Sequence, residues 1–510
     1  MAALPARFRR NTATLYLNTI ASAVIALVMT PVLATGLGKH DYGIWLVVGS
    51  MILYLELLEF GFGTATIKYV AEFEALEDRD RLRSAITTSF WVLALPGLIA
   101  FALGLLAAAL FPYLLDIREG AETGARLLVV MLAANMAISI PGDTFGGALI
   151  GLQRYDLQNA TLLVVAVAQA IGWAIVIGAG GGLVALGLVT VSLSLLGQLW
   201  RYLLIRRLVP GVTMSRRHFD RSMFRGFARL SFWYALGEVA HVVIFRIDTI
   251  VVGVVVNIQA AAVYGVGQKL ALIAEKLVQP VVYTLFPHSS ELAALDDREG
   301  LRSTLVTGTR ISMGLAGPLT VTLAVMAEPA IRAWVPPSFA AASLVVVYLS
   351  AATAIKSLVQ TGQTMLNGMG LARAPSIIVA AEAGLNLLLS IVLGQAMGIH
   401  GVALGTFLAS AATDLGLLLP YMCRRLGMSV AAFLLPVLRA HLPGLVVSLA
   451  VGWAVTRAHL SGIGPVVVGG AAIGLAYLCV FYVTGLTADE RAEITRKVRG
   501  RGRTGVDVGT

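Results

Sequence analysis

Long apolar segments recur along almost the whole chain, and they restrict its fold more than any other feature. An α-helix needs about 20 mostly apolar residues to cross the hydrocarbon core of a bilayer. Fourteen segments of roughly this kind can be marked, so the sequence predicts an all-α polytopic membrane protein with about fourteen transmembrane helices. They cover 12–36, 42–69, 84–113, 125–151, 158–178, 183–206, 228–256, 261–287, 304–327, 341–369, 374–397, 400–422, 442–458 and 464–485.

The composition agrees with this fold class. Hydrophobic residues make up 58% of the 510 residues, whereas 13% are charged. Soluble domains carry roughly 25% charged residues. The start of the chain, MAALPARFRR, is basic and runs into the first apolar segment without a clear cleavage site, so we expect a retained first helix.

Basic residues divide unequally between the two sets of connecting segments. If the N-terminus is cytoplasmic, the cytoplasmic segments hold 28 lysines and arginines, and the opposite loops hold five. Because cytoplasmic loops retain positive charge, both termini are predicted to be cytoplasmic. Eight arginines between Arg201 and Arg229 are predicted to lie near anionic lipid headgroups, so the net charge of +10 does not require a nucleic-acid partner. The five opposite basic residues are Lys39, Arg118, Arg126, Arg332 and Arg457.

Short matches indicate an internal repeat. GLVALG at 182–187 matches GVALG at 401–405, and Tyr42-Gly43 matches Tyr264-Gly265. Six helices per half would give both halves the same orientation, related by an axis along the membrane normal. The predicted domains are a six-helix bundle at 1–208, a basic cytoplasmic linker at 209–227, a second six-helix bundle at 228–425, an interfacial helix with helices 13 and 14 at 426–486, and a basic cytoplasmic tail at 487–510.

Thirteen charged side chains are predicted to lie at depth in the membrane. A charge at the centre of a bilayer costs roughly 2.5–3.5 kcal/mol on insertion scales, so these groups are expected to share a polar interior. Helices 13 and 14, by contrast, have no central ionisable residue in this prediction. The thirteen are Glu56, Glu59, Asp143, Glu238, Arg246, Asp248, Lys269, Glu275, Lys276, Arg310, Lys356, Glu382 and Asp414.

Four basic side chains are candidates for binding an anionic headgroup, because guanidinium and ammonium groups suit phosphate oxygens. Neutralisation by neighbouring acids is an equally consistent interpretation. Arg310 is expected to extend its charge towards the cytoplasmic interface, and Asp143 follows a Pro-Gly pair that predicts a kink. The four candidates are Arg246, Lys269, Lys276 and Lys356.

Four acidic side chains are candidates for coupling transport to a proton or sodium gradient, because a carboxylate in a low dielectric can titrate during a transport cycle. Salt bridges that join two helices are the alternative. His241, three residues from Glu238, is either a proton partner or a structural histidine. The four candidates are Glu56, Glu59, Glu238 and Asp248.

Motifs for enzymatic chemistry are missing from the sequence. There is no GxxxxGK[ST], no HExxH and no spaced Cys/His set, so neither a cofactor nor a metal is predicted and the chain is not expected to be an enzyme. Asp78-Arg79-Asp80 has the spacing of a sugar-transferase metal motif but lies in a short charged loop. The amphipathic stretch 429–441 is expected to lie along the cytoplasmic interface.

Several stretches resemble one family. Residues 31–72, PVLATGLGKHDYGIWLVVGSMILYLELLEFGFGTATIKYVAE, are similar to the first two helices of bacterial polysaccharide-repeat-unit flippases of the multidrug/oligosaccharidyl-lipid/polysaccharide exporter superfamily. GALIGLQRYD at 147–156 and LNGMGLARAP at 366–375 resemble the ends of that family's helices 4 and 10. The similarity extends over nearly the whole chain, although its motifs are loose and identify the superfamily better than the substrate.

The resemblance implies two six-helix bundles around an alternating-access cavity. It also implies ion-coupled movement of a polyprenyl-pyrophosphate-linked oligosaccharide, such as an O-antigen or exopolysaccharide repeat unit, to the outer leaflet of the bacterial inner membrane. Contacts with polysaccharide assembly proteins would follow. Alternatives are a cation-coupled multidrug antiporter, a peptidoglycan-precursor flippase and, from another class, a membrane glycosyltransferase. Acids outnumber bases among the thirteen charges by eight to five, which is compatible with the antiporter.

Overall fold

The architecture comes from a computed structural model, which describes residues 6–59, 62–114, 117, 120–215, 219–220, 247–283, 285–458, 462–492 and 495. Helices dominate these ranges, and none of their residues forms a strand. Within the described residues, ten helices are long and apolar enough to cross a membrane, or up to eleven if one bent helix pair is a single span. The predicted all-α membrane fold is confirmed at that level. The number fourteen and the cytoplasmic termini stay predictions.

We number the helices in chain order, with α7 denoting only the described helical residues 247–255. The first six are α1 (Ala6–Glu56), α2 (Phe62–Ala75), α3 (Arg79–Leu114), α4 (Glu122–Gly151), α5 (Tyr155–Gly178) and α6 (Leu183–Leu208). The others are α8 (Ile258–Tyr283), α9 (Leu285–Ala294), α10 (Arg298–Val325), α11 (Ala327–Trp334), α12 (Ala342–Gly368), α13 (Arg373–Met397), α14 (Ile399–Ser410), α15 (Leu419–Arg425), α16 (Val430–Arg457) and α17 (Ile463–Thr484).

Gly38 interrupts α1 between the first two predicted spans. Its φ of 72° and ψ of 170° are far from helical values, and a positive φ of this kind favours glycine because no Cβ is present to clash. The helical stretches 6–37 and 39–56 on its two sides therefore follow separate paths. The stretch 6–37 contains the predicted segment 12–36, and the stretch 39–56 covers the first part of the predicted segment 42–69.

The described residues cluster into two compact units. The first comprises residues within 1–269 together with 383–405, and the second comprises 270–382 and 406–510. In the first unit α4 packs against α3, α6 and α2, and in the second α10 packs against α12, α16 and α17. These two units do not coincide with the predicted six-helix bundles, 1–208 and 228–425. The predicted bundles are not tested by this clustering and stay predictions.

Helix α3 shows the polarity expected of a membrane helix. Thr87, Thr88 and Ser89 are buried, whereas the large apolar side chains Leu95 and Leu98 are each 63% exposed. Thr87 Oγ1 donates to the carbonyl of Arg83 one turn earlier, which satisfies the hydroxyl inside the helix. Because lipid tails are as apolar as leucine, exposed leucines need no protein partner, and small polar residues can face neighbouring helices.

The predicted basic linker begins as a segment packed on α3. Arg83 Nε donates to the carbonyl of Pro210 at 2.9 Å, and Trp91 Nε1 donates to the carbonyl of Met214 at 3.1 Å. Val209 and Val212 are buried in the same cluster. Residues 209–215 are thus held on the first unit, whereas the rest of the linker beyond 220 lies outside the described residues.

The C-terminal part departs from the sequence prediction in one respect. Residues 430–441, expected to form a separate interfacial helix, are continuous with predicted helix 13 in the 28-residue α16, even though Pro436 and Pro443 lie within it. The helix carries a buried histidine, His441, whose Nδ1 is 2.9 Å from Tyr477 Oη. His441 lies just before the predicted span 442–458, so the expectation that helices 13 and 14 lack a central ionisable residue stays a prediction.

Candidate functional site

The most deeply buried charges in the second unit surround Lys356. Helix α12 supplies Lys356, α13 supplies Glu382, and a π-helical stretch, Ala411–Leu418, supplies Asp414. Lys356 Nζ lies 2.5 Å from Glu382 Oε1 and 3.6 Å from Asp414 Oδ2. The side chains of Glu382 and Asp414 are only 1% and 3% exposed. Three helical segments therefore meet at one ammonium group and two carboxylates.

This group, the Lys356 cluster, has more acid than base. With all three groups ionised it carries one net negative charge, and a buried unbalanced charge is costly. Ser410 Oγ donates to Glu382 Oε1 at 2.8 Å. The buried atoms Glu382 Oε2 and Asp414 Oδ2 accept no hydrogen bond from any residue that the structure describes. The arrangement can therefore take up one more positive charge.

The backbone around Asp414 is itself unusual. Residues 411–418 form a π-helical stretch between α14 and α15, and such stretches are rare and frequently lie at functional sites. The wider turn changes the register of the side chains, so the 3.6-residue period used in sequence analysis does not predict where Asp414 points. Glu382 and Asp414 were recognised as charges at depth in the sequence but were given no role, because nothing in the sequence indicates that they share one lysine.

Asp248 is buried in the first unit with hydroxyl partners. Its Oδ2 accepts a hydrogen bond from Tyr264 Oη at 2.7 Å and its Oδ1 one from Ser390 Oγ at 3.3 Å. Asp248 is 2% exposed and Tyr264 fully buried. Helices α7, α8 and α13 are thus joined through one carboxylate. Its role in ion coupling stays a prediction.

Lys269 on α8 also has neutral partners. Its Nζ donates to Tyr42 Oη at 3.0 Å and to Thr30 Oγ1 at 3.4 Å, and it lies 5.3 Å from the centroid of the Tyr42 ring. Both partners belong to α1. No carboxylate in the described part of the chain forms an ion pair with Lys269 under a 4.0 Å N···O criterion. Among the described residues, hydroxyl dipoles and an aromatic ring therefore stabilise the positive charge.

The other three candidates for binding the headgroup have surroundings unlike those of Lys269. Lys356 is ion-paired, which is the geometry of internal neutralisation, the second of the two interpretations that the sequence left open. Lys276 on α8 is exposed. Arg246 lies outside the described residues, so its predicted role stays open. Of the four candidates, Lys269 combines partial burial with a charge that no described acid pairs.

The acidic candidates near helix 2 are only partly described. Glu59 ends a short 3₁₀ turn, Leu57–Glu59, and its Oε1 lies directly over Gly63, where a Cβ would overlap it. The backbone of Glu56 ends α1, but its side chain lies outside the described residues. Glu238 and His241 also lie outside them. The predicted coupling roles of Glu56, Glu59 and Glu238 are untested, and so is the role of His241.

Arg201 belongs to a polar cluster that the sequence analysis missed. It was predicted to lie among lipid headgroups, but it is 8% exposed, and its Nη1 lies 3.4 Å from Asp143 Oδ1 on α4. The Asp143 side chain is 41% exposed. Gly146 makes the approach possible, since a Cβ there would lie 3.0 Å from Arg201 Nη1 and 2.8 Å from Gln158 Nε2. Only the three-dimensional packing of α4, α5 and α6 reveals the pair.

Arg310 likewise has an unexpected partner. Its Nη2 donates to Glu490 Oε1 at 2.5 Å, with side chains 16% and 25% exposed. Glu490 belongs to the predicted cytoplasmic tail, so the expectation that Arg310 reaches towards the cytoplasmic interface stays a prediction. Glu490 also accepts a bond from the backbone of Thr487 at 2.7 Å, and Thr487 Oγ1 accepts from the Glu490 backbone. The start of the C-terminal tail thus forms a capping box between Thr487 and Glu490, and the ion pair of Glu490 with Arg310 attaches it to α10.

Known proteins resemble this chain in sequence and in fold. A family profile described as "Polysaccharide biosynthesis protein" matches residues 8–293. The succinoglycan biosynthesis transport protein ExoT of Rhizobium meliloti (strain 1021) is 23% identical over 316 residues, which are 60% of this chain and 58% of that protein. The chain therefore matches less than two thirds of this relative's length.

Solved structures show the same fold at low sequence identity. An inward-facing multidrug resistance MATE family transporter of the MOP superfamily has a TM-score of 0.71 at 13% identity, covering 80% of this chain and 94% of its own. The inward closed conformation of the lipid II flippase MurJ has a TM-score of 0.67 at 15% identity, covering 95% and 100%. The profile match confirms the predicted family, and the solved structures share the helical fold of this chain. The chain is a multi-pass membrane protein that belongs to the polysaccharide biosynthesis protein family.

Proposed function

We propose that this protein moves a polyprenyl-pyrophosphate-linked glycan repeat unit from the cytoplasmic to the outer leaflet of the bacterial inner membrane by alternating access. A proton or sodium gradient drives the movement. The family and the succinoglycan transport relative support a substrate from polysaccharide biosynthesis. The fold shared with a flippase for lipid II supports a large lipid-linked substrate.

The observation that carries the proposal is the environment of Lys269. A half-buried ammonium on a membrane helix is held by the hydroxyl groups of Tyr42 and Thr30 and is paired with no described acid. Phosphate oxygens bind such a group with charge-assisted hydrogen bonds that are roughly twice as strong as neutral ones. Lys269 is therefore suited to recognise the pyrophosphate that all such substrates share, independently of the sugar.

The Lys356 cluster supports coupling to a cation. A proton or a monovalent cation at Glu382 or Asp414 balances the excess negative charge and satisfies the two buried oxygens that lack hydrogen bonds. In the described ranges no group of three or more His, Cys, Asp or Glu side chains could hold a metal ion, so a proton is the simplest occupant. We assign coupling to these two carboxylates in addition to the earlier candidates.

Export of the glycan in a strain that lacks its own flippase tests the substrate. Lys269→Met should reduce export at least tenfold at equal protein level, and Lys269→Arg should retain a larger share because the charge is kept. Lys68→Met is the matched control, since Lys68 is an exposed lysine on α2. Full export by Lys269→Met would exclude the headgroup role, and failure of the parent to restore any glycan would exclude the substrate class.

Uptake into vesicles under an imposed gradient tests coupling. Glu382→Gln and Asp414→Asn should remove the dependence of transport on the pH gradient, whereas Asp296→Asn, a change of an exposed acid, should leave it intact. If a sodium gradient alone drives the parent, the cation is sodium. If neither gradient affects the parent, transport is uncoupled and the cluster has a purely structural role.

A multidrug antiporter is the second candidate, because the MATE fold gives the higher TM-score and the Lys356 cluster is acidic. The two functions differ in the charge of the substrate. Resistance of cells to cationic dyes, measured beside glycan export, separates them: a flippase restores glycan without dye resistance. Lipid II offered in the same export system distinguishes the peptidoglycan-precursor flippase.

A further inference from the structure

The two Tyr-Gly pairs of the internal repeat lie on two helices that pack against each other, since Gly43 on α1 contacts Ile258 and Gly265 on α8 contacts Leu46. Tyr42-Gly43 follows the break at Gly38 in α1, and Tyr264-Gly265 lies in the second turn of α8. Both tyrosines are fully buried. The pairs are therefore part of one helix crossing within the first unit.

Glycine makes this crossing close. A Cβ on Gly43 would overlap the backbone carbonyl of Ile258, and a Cβ on Gly265 would overlap the side chain of Leu46. The first contact is between backbones and cannot be relieved by rotating a side chain. Gly49, two turns further along α1, has nothing within 4 Å of its Cβ position. Gly43 is thus required by this contact, whereas Gly49 on the same helix is not.

Hydrogen bonds across the crossing come from Lys269. Its ammonium on α8 donates to Tyr42 and Thr30 on α1, so one side chain ties the two helices at two points. Tyr264, the other tyrosine of the repeat, is bonded instead to Asp248 and Ser390 on α7 and α13. Separating α1 from α8 would therefore break the bonds of Lys269 and leave the group around Tyr264 intact.

The crossing lies near the helix ends that the charge distribution assigns to the outer face. Residues 37–41 connect predicted spans 1 and 2, and residues 257–260 connect spans 7 and 8. Both connections are predicted to lie on the side opposite to the basic loops. Asn257 Oδ1 accepts from the Ala260 backbone at 2.7 Å and so fixes the start of α8. With this predicted orientation, the contact lies towards the outer ends of α1 and α8.

We propose that the crossing of α1 and α8 is the outer closure of the transport path, and that Lys269 opens it by exchanging Tyr42 and Thr30 for the anionic headgroup of the substrate. The inference rests on the proposed function. An ammonium has three N–H donors, and two of them hold the crossing. Charge-assisted bonds to phosphate are stronger than bonds to neutral hydroxyls, so an arriving diphosphate can draw Lys269 away from α1.

Reversible cross-linking tests the opening step. In the full chain with Cys423 and Cys479 replaced by serine, Leu46→Cys and Gly265→Cys place two thiols across the crossing. Oxidation should stop glycan export and reduction should restore it, whereas in Leu46→Cys alone and in Gly265→Cys alone export should not depend on the redox state. Undiminished export by the cross-linked Leu46/Gly265 pair would show that the crossing never opens and would overturn the proposal.

Labelling tests the release by an anion. Leu46→Cys alone, in sealed vesicles, is exposed to an impermeant maleimide at the outer face, with farnesyl diphosphate or uncharged farnesol as the probe. The diphosphate should raise the labelling rate several-fold and farnesol should not. Tyr42→Phe and Gly43→Ala should label several-fold faster without a probe, and Gly49→Ala should label at the parent rate. With Lys269→Met, Leu46→Cys should be labelled several-fold faster than in the parent, and the diphosphate should not change that rate.

The outcomes separate this inference from the proposed function. Parent rates in both Tyr42→Phe and Gly43→Ala contradict the closure, and Tyr42→Phe keeps the test informative if Gly43→Ala does not fold. An unchanged parent rate at saturating diphosphate contradicts the release by Lys269. If labelling of the protein responds to the diphosphate as expected but no glycan is exported, the proposed closure is supported and the proposed substrate is contradicted.

Discussion

Lys269 and Lys356 are both lysines on apolar helices, but their partners differ in charge. Lys269 donates to two hydroxyl groups, whereas Lys356 is enclosed by two carboxylates. Hydroxyl dipoles stabilise a charge and leave it uncancelled; carboxylates cancel it. The first lysine can still attract an anion, and the second has become part of a group that attracts a cation. Partner type, more than depth, therefore decides what a charge in the membrane can do.

Removing Lys356 should have the largest effect, because it leaves two buried carboxylates without a counter-charge. Lys356→Met should lower the free energy of unfolding by about 3–5 kcal/mol, as for other broken buried ion pairs. Chemical denaturation in detergent measures the loss. Combining Lys356→Met with Glu382→Gln and Asp414→Asn should recover much of it. A stable single variant would mean that the carboxylates are not charged in the folded protein.

Removing Arg201 should cost less, because its partner Asp143 is partly exposed and can be hydrated. Arg201→Met should lower the free energy of unfolding by about 1–3 kcal/mol, the usual cost of an unsatisfied polar group. Arg206→Met, at an exposed position on the same helix, is the control and should change stability little. A loss equal to that of Lys356→Met would show that exposure of the partner acid does not moderate the cost.

Removing Lys269 should affect stability still less and function most selectively. Its partners Tyr42 and Thr30 are neutral, so Lys269→Met gives up two hydrogen bonds of about 0.5–1.5 kcal/mol each and gains from removing a desolvated charge. The net change in unfolding free energy should stay within about 1 kcal/mol, measured as for Lys356. A severe loss of stability would indicate an acidic partner and would break the contrast between the two lysines.

The smallest effect is expected at the tail. Glu490→Gln keeps the capping geometry with Thr487 but removes the charge opposite Arg310. Ion pairs near a surface contribute about 0–1 kcal/mol, so the change in unfolding free energy should fall in that range and shrink in high salt. Insensitivity to salt together with a loss above this range would place the pair in a drier environment than its exposure indicates.

The sequence predicted where the helices lie better than it predicted which buried side chains contact one another. Apolar runs identified the spans because the bilayer requires about 20 residues of hydrocarbon-compatible helix, and the break at Gly38 separates two of these runs. The buried positions of Arg201 and His441 could not be predicted, since each lies close to a segment end in the hydropathy pattern. Their partners, Asp143 and Tyr477, are 58 and 36 residues away in the chain.

The sequence by itself determined that the chain is helical, crosses the membrane many times and carries charges that lipid cannot accommodate. Those conclusions depend on composition and on periods of a few residues, which are local properties. Tertiary structure alone decided that Glu382 and Asp414 share Lys356, that Lys269 bonds to α1, and that Gly43 lies against Ile258. Such pairings depend on how distant helices pack, and the energy of a buried charge depends on the few ångströms to its nearest partner, which no local pattern records.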